Sequence, residues 1–183
     1  MQMMLRNKRV VLLFSIAAIL QLVVPLYMVW HWENVLNTGR PFYWDTAPVD
    51  PYDMLKGRYV DLGFKEQKGK ILDDARLEYG QKAFAVVAEQ DGKAVITGIS
   101  TRQPQDGAFV RVTVQYIENG IAHVSLPFKR YYLPEELAPA AERAYQKSAG
   151  KDGKALIRMK DGYGVVEQLY IGNQTIYEYL QSQ

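Results

Sequence analysis

The sequence predicts a mainly β domain with minor α structure, carried behind a single N-terminal transmembrane helix, and three observations support this fold class. Residues 10–29 read VVLLFSIAAILQLVVPLYMV, twenty residues without a charge. Residues 109–117 alternate apolar and polar side chains with the period of a half-buried strand. Asp or Asn followed by glycine recurs at 91–92, 119–120 and 161–162, each time between runs of strand-forming residues.

A chain of 183 residues leaves room, behind such a helix, for one well-buried core. Lys and Arg number 22 against 20 Asp and Glu, and with Arg6, Lys8 and Arg9 set aside the remainder is nearly neutral. That balance offers no footprint for nucleic acid. The absence of cysteine removes thiol catalysis, disulfides, a Cys-based zinc site and a lipoprotein anchor. With His31 and His123 the only histidines, a multi-histidine metal centre is excluded and no cofactor is expected.

At 1.5 Å per residue the apolar stretch spans about 30 Å, enough to cross a hydrocarbon core. Arg6, Lys8 and Arg9 precede it, and Trp30, His31, Trp32 and Glu33 follow. The positive-inside bias therefore makes residues 1–9 a cytoplasmic tail and residues 10–30 the anchor, with Tyr27, Trp30 and Trp32 in the interfacial belt. A cleaved signal peptide competes, but Ser15 and Ala17, the nearest small-x-small site, follow too short an apolar run. A hydrogen bond from Gln21 to a partner helix is a further option within the bilayer.

Residues 31–58 carry turn signals at 37–39, Pro41, Pro48 and Asp50-Pro51, and are expected to form a juxtamembrane linker. Residues 59–183 then form the β-rich domain. Val110, Val112, Val114 and Tyr116 share one strand face, Asn119-Gly120 turns the chain, and Ala122, Val124, Leu126 and Phe128 return. Asp91-Gly92 joins 83–89 to 94–100, Asp161-Gly162 joins 155–160 to 164–171, and Gly172-Asn173 leads to a last strand near 175–180. One helix is predicted over about residues 139–149, opened by Pro139 and closed by Gly150. Residues 71–79 favour a short helix over an irregular strand. The whole reads as an antiparallel meander curled into an open barrel or sandwich.

The run 50–64, DPYDMLKGRYVDLGF, resembles the signature of the GDYXXLXY family of membrane-anchored bacterial proteins. Gly57, Tyr59 and Leu62 match, while Arg58 stands where the pattern has Asp and Phe64 where it has the final Tyr. Arg130-Tyr131-Tyr132-Leu133-Pro134-Glu135 is similar to a second family element, so the resemblance spans essentially the whole chain. It implies a bacterial inner-membrane protein with a periplasmic domain, and an accessory role, since such proteins are often encoded beside polytopic membrane proteins. It implies no reaction or catalytic residue, and Arg58 speaks against a carboxylate-dependent role at that position. Turn and strand chemistry also account for the motif: Asp53 caps a turn, Gly57 supplies positive φ, and Val60, Leu62 and Phe64 share a strand face.

Two alternatives carry chemistry. His123 and Ser125 share a strand face with Lys129 beyond them, the residue types of a serine hydrolase, although strand neighbours two apart hold their Cβ atoms nearly 7 Å apart, too far for a direct hydrogen bond. Asp73-Asp74 and Glu135-Glu136 diverge as adjacent residues and read as solvated charge. The 13 tyrosines, six of them Tyr131, Tyr132, Tyr163, Tyr170, Tyr177 and Tyr179, suit a sensor cavity or an interaction surface as well as strands. The leading expectation is a membrane-anchored, non-enzymatic interaction domain whose partners are the lipid bilayer and a polytopic membrane protein, with a hydrolase or a small-molecule sensor as alternatives.

Overall fold

The computed structural model describes residues 2–49, 59–73 and 76–183. Helix α1 (Gln2–Thr38) leads into β1 (Arg40–Ala47), the fourth strand of a five-stranded antiparallel sheet. Its other strands are β3 (Gly63–Phe64), β10 (Gly153–Lys160), β11 (Tyr163–Ile171) and β12 (Gln174–Thr175), in the order β12-β11-β10-β1-β3. A second sheet orders β4 (Lys68–Lys70), β8 (Ile121–Ser125), β7 (Ala108–Glu118), β5 (Lys82–Gln90) and β6 (Lys93–Ser100) as β4-β8-β7-β5-β6. Ile71 bridges Ile99 across the gap and the Leu72 N–H donates to the Ile99 carbonyl at 2.8 Å, so this sheet nearly closes into a barrel. A two-stranded ribbon, β2 (Tyr59–Asp61) with β9 (Arg130–Tyr132), and the helices α2 (Ala138–Ser148) and α3 (Ile176–Gln181) complete the fold. It is mainly β with minor α behind one long apolar helix, as the sequence predicts.

The three Asx-Gly hairpins form for a visible reason. Asp91, Asn119 and Asp161 are the non-glycine residues with positive φ among the described residues, and each is followed by a glycine with positive φ. Two successive left-handed residues make the type I′ turn whose twist matches that of paired strands. In β7 the inward positions Val110, Val112 and Val114 are buried while Arg111 faces out, which sets the register across the sheet.

Three expectations change. Residues 31–58 are not a linker throughout: α1 continues to Thr38 and β1 pairs with both β10 and β3. The turn residues 37–39 end the helix, and the alternation of Phe42, Trp44 and Thr46, all buried, outweighs Pro41 near the start of the strand. The described part of 71–79 is not helical; Ile71 instead bridges to β6. The expected last strand shrinks to β12 and becomes α3, because Thr175 and Glu178 form a reciprocal capping box that starts a helix.

The core is held at one seam by three rings. Trp44, fully buried, meets Phe64 edge-on at 5.9 Å and Phe128 at 5.5 Å, and those two meet each other at 5.4 Å. Helix α2 locks the same region from outside. Its Ala141, Ala144, Tyr145 and Ser148 form one buried face, and the Tyr145 hydroxyl donates to the Ala47 carbonyl at 2.8 Å while accepting the Gly63 N–H at 2.9 Å. Burial pushes the Tyr145 phenol up to about 12. Tyr145→Phe removes the partner of the Ala47 carbonyl at the end of β1 and of the Gly63 N–H at the start of β3, so stability in chemical denaturation should fall by about 1–3 kcal/mol at unchanged m-value.

Asp73 fastens the segment after β4 to the end of β6: one carboxylate oxygen accepts the Thr101 hydroxyl at 2.6 Å, the Thr101 N–H at 2.8 Å and the Ser100 hydroxyl at 3.3 Å. The Thr101 hydroxyl above all holds the carboxyl below its ordinary value. A lowered folded pKa gives stabilisation that is complete above the unfolded value, about 3.9, and is lost as pH falls through the folded one. Asp73→Asn should therefore lower the denaturation midpoint near neutrality, with the gap to wild type closing on titration below about pH 4.

Candidate interaction surface

The two sequence segments singled out for the family resemblance meet in space. Strand β2 pairs with β9 in antiparallel register, Tyr59 opposite Tyr132, Val60 opposite Tyr131 and Asp61 opposite Arg130. The Leu62 N–H continues the pairing to the Lys129 carbonyl at 2.8 Å. Strand alternation sorts the side chains: Val60, Leu62 and Tyr131 turn into the core, and Tyr59 and Tyr132 turn out.

On the outer face the Tyr59 and Tyr132 rings meet at 5.7 Å, with Tyr132 65% exposed. The Arg130 guanidinium lies 4.5 Å over the Tyr59 ring and 3.7 Å from the Asp61 carboxylate. This makes a small platform of two rings and a cation, amphipathic groups of the kind that anchor protein contacts. Beneath it, Tyr131 donates to Gln168 Oε1 at 3.3 Å, and burial, with Tyr177 nearby, holds its phenol above the ordinary tyrosine value. Tyr131 is a support of the platform rather than part of its surface.

Other predicted residues divide between core and turn. Phe64 belongs to the aromatic seam, and exposed Pro134 and Glu135 sit in the turn before α2, where the Pro134 carbonyl accepts the N–H groups of Leu137 and Ala138 at 3.0 and 3.1 Å. Gly57 and Arg58 lie outside the described residues, as do Asp53 and Asp74.

Two clefts open beside the ribbon and share Trp32, Pro127, Lys129 and Gly164 on their walls. One, of about 760 Å³, runs from Tyr132 and Arg130 to Trp32; the other, of about 640 Å³, runs from Trp32 towards β5 and β7. Gly164 permits this arrangement, since a Cβ there would come within 2.6 Å of the Phe128 ring. Trp32 belongs to α1, whose last turns dock on the domain. Val35 is 2% exposed, His31 meets the Tyr163 ring edge-on at 4.6 Å, and Lys160 Nζ donates to Thr38 Oγ1 at 2.7 Å.

Of the hydrolase candidates, Ser125 and Lys129 line the second cleft, while the His123 ring stacks on Tyr116 at 4.1 Å. No side-chain hydrogen bond links the three among the described residues. Nor do the described residues bring three His, Asp or Glu side chains together as a metal site. Sequence reasoning passed over Lys82 and Arg111, which face the second cleft from neighbouring strands. Their outward positions are visible in the strand alternation, but their convergence on Trp32 depends on the packing of α1.

Among known proteins, no curated protein and no solved structure matches this chain. A family model described as GDYXXLXY protein matches residues 21–169, well over half of the length and inclusive of both ribbon strands. With that match and the pairing of its two motif segments, the chain belongs to the GDYXXLXY family.

Proposed function

We propose that this protein is a single-pass protein of the bacterial inner membrane whose periplasmic domain serves as an accessory to a polytopic membrane partner. The observation that carries this reading is the division of labour along α1. Residues 10–30 pack against essentially nothing in the chain, and the same unbroken helix continues into docked residues ending at Thr38. A core helix would be covered, and a signal peptide would be cut from a helix whose end is built into the fold. Arg6, Lys8 and Arg9 ahead of the span favour a cytoplasmic N-terminus.

The Tyr59, Arg130 and Tyr132 platform is the surface best suited to the partner. It is aromatic, cationic and exposed, and it stands on short strands tied down by Tyr131 and Leu62. A contact of this composition concentrates binding energy in few residues.

The protein should stay with the membrane pellet through alkaline extraction and keep its N-terminal residues by mass spectrometry; release into the supernatant or a chain lacking residues 1–30 would overturn the anchoring. Tyr59→Ala with Tyr132→Ala should cut co-purification of a polytopic partner from gentle detergent by roughly thirtyfold, a loss of about 2 kcal/mol, without lowering the melting temperature by more than about 2 °C. A chain that purifies alone in both forms would sink the accessory reading.

A further inference from the structure

The cleft between Trp32, β5 and β7 has a composition that the accessory role does not use. Its walls include Trp32, Leu126 and Pro127 together with Lys82, Arg111 and Lys129, and no described carboxylate lines it. Among the described residues none of the three cations forms an ion pair. Two of them are nonetheless held in place by neutral groups: Lys82 Nζ donates to Thr113 Oγ1 at 2.8 Å, and the Arg111 guanidinium lies 4.5 Å over the Tyr163 ring. Three positive charges are thus gathered, two of them oriented, and left uncancelled beside an apolar wall.

Position supplies the second half of the case, and it rests on the membrane-anchored reading above. Trp32 lies two residues beyond the anchor segment 10–30, a rise of about 3 Å along the helix. That is headgroup depth, and Trp32, 43% exposed, has the amphipathic ring that settles there. The cleft therefore opens where the phosphate groups of the bilayer lie, and apolar surface leads from it along α1. Its volume of about 640 Å³ falls in the range of small-molecule sites.

We propose that this cleft holds the headgroup of an anionic phospholipid drawn from the bilayer that α1 crosses. Lys82, Arg111 and Lys129 meet the phosphate charge, and Trp32 and Pro127 cover the start of the acyl chains.

The test uses the full-length protein in nanodiscs and in gentle detergent, with retained lipid read by native mass spectrometry. Wild type should retain one phosphatidylglycerol with roughly a hundredfold preference over phosphatidylcholine, about fivefold for each of the three cations. Lys82→Gln with Lys129→Gln should lower that preference by roughly 25-fold, and adding Arg111→Gln by roughly a hundredfold, at about fivefold per cation. Because Arg111 also braces Tyr163, the double variant, checked for an unchanged melting temperature, decides the matter if the triple variant fails to fold. Equal retention of the two lipids, or retention indifferent to the substitutions, overturns the proposal. So does a melting temperature raised by soluble glycerol 3-phosphate as much as by the lipid, which would assign the cleft to a soluble anion. Release from the membrane on alkaline extraction would instead overturn the anchoring on which the proposal depends, so the two failures are distinguishable.

Discussion

The contact on which the structure turns is the three-ring seam of Trp44, Phe64 and Phe128, because each ring comes from a different stretch of chain. Trp44 brings the strand that follows α1, Phe64 the end of the family motif, and Phe128 the segment that leaves β8. Edge-to-face aromatic contacts of this kind add about 1 kcal/mol each to the area they bury, yet their structural effect is larger than that figure suggests. With Phe128 fixed against Gly164, the following residues Arg130 to Tyr132 reach β2 in register, and the outer tyrosines are placed by strands whose other face lies in the core.

The seam also explains why α2 lies where it does. Strands β1 and β3 pair over only two positions, Thr46 with Phe64 and Ala47 with Gly63, too short a ladder to hold two chain segments by itself. Tyr145 supplies the missing bonds by accepting from one segment and donating to the other. Its hydroxyl is worth more than one hydrogen bond because losing it strands two backbone groups at once.

Much of the fold was readable in the sequence, and the places where reading failed share a physical cause. Asx-Gly turns and strict alternation are local signals, so the hairpins of β5 with β6, β7 with β8 and β10 with β11 follow from short windows of residues. β1 was hidden because Pro41, Pro48 and the glycine at position 39 suggest a loop, whereas pairing with β10, more than a hundred residues away, fixes the segment as a strand. The start of α3 was readable after all, in the Thr175 and Glu178 spacing, but the short apolar run ahead of it looks like more strand. Tyr59 and Tyr132 could be named as candidates from the motif segments alone; that they touch one another, and that Tyr131 does not join them, depends on a pairing between distant segments that no local pattern encodes.

The passage from α1 to β1 leaves almost no slack. Gly39 donates its N–H to the Val35 carbonyl at 2.9 Å, and its lack of a side chain lets the backbone pass from helix to strand in a single residue. The turns of this 37-residue helix that follow Pro25 are thus bolted to a sheet. Any change in their tilt or rotation swings the whole domain through the same angle, so the tyrosine platform has a set height and heading rather than a volume to search.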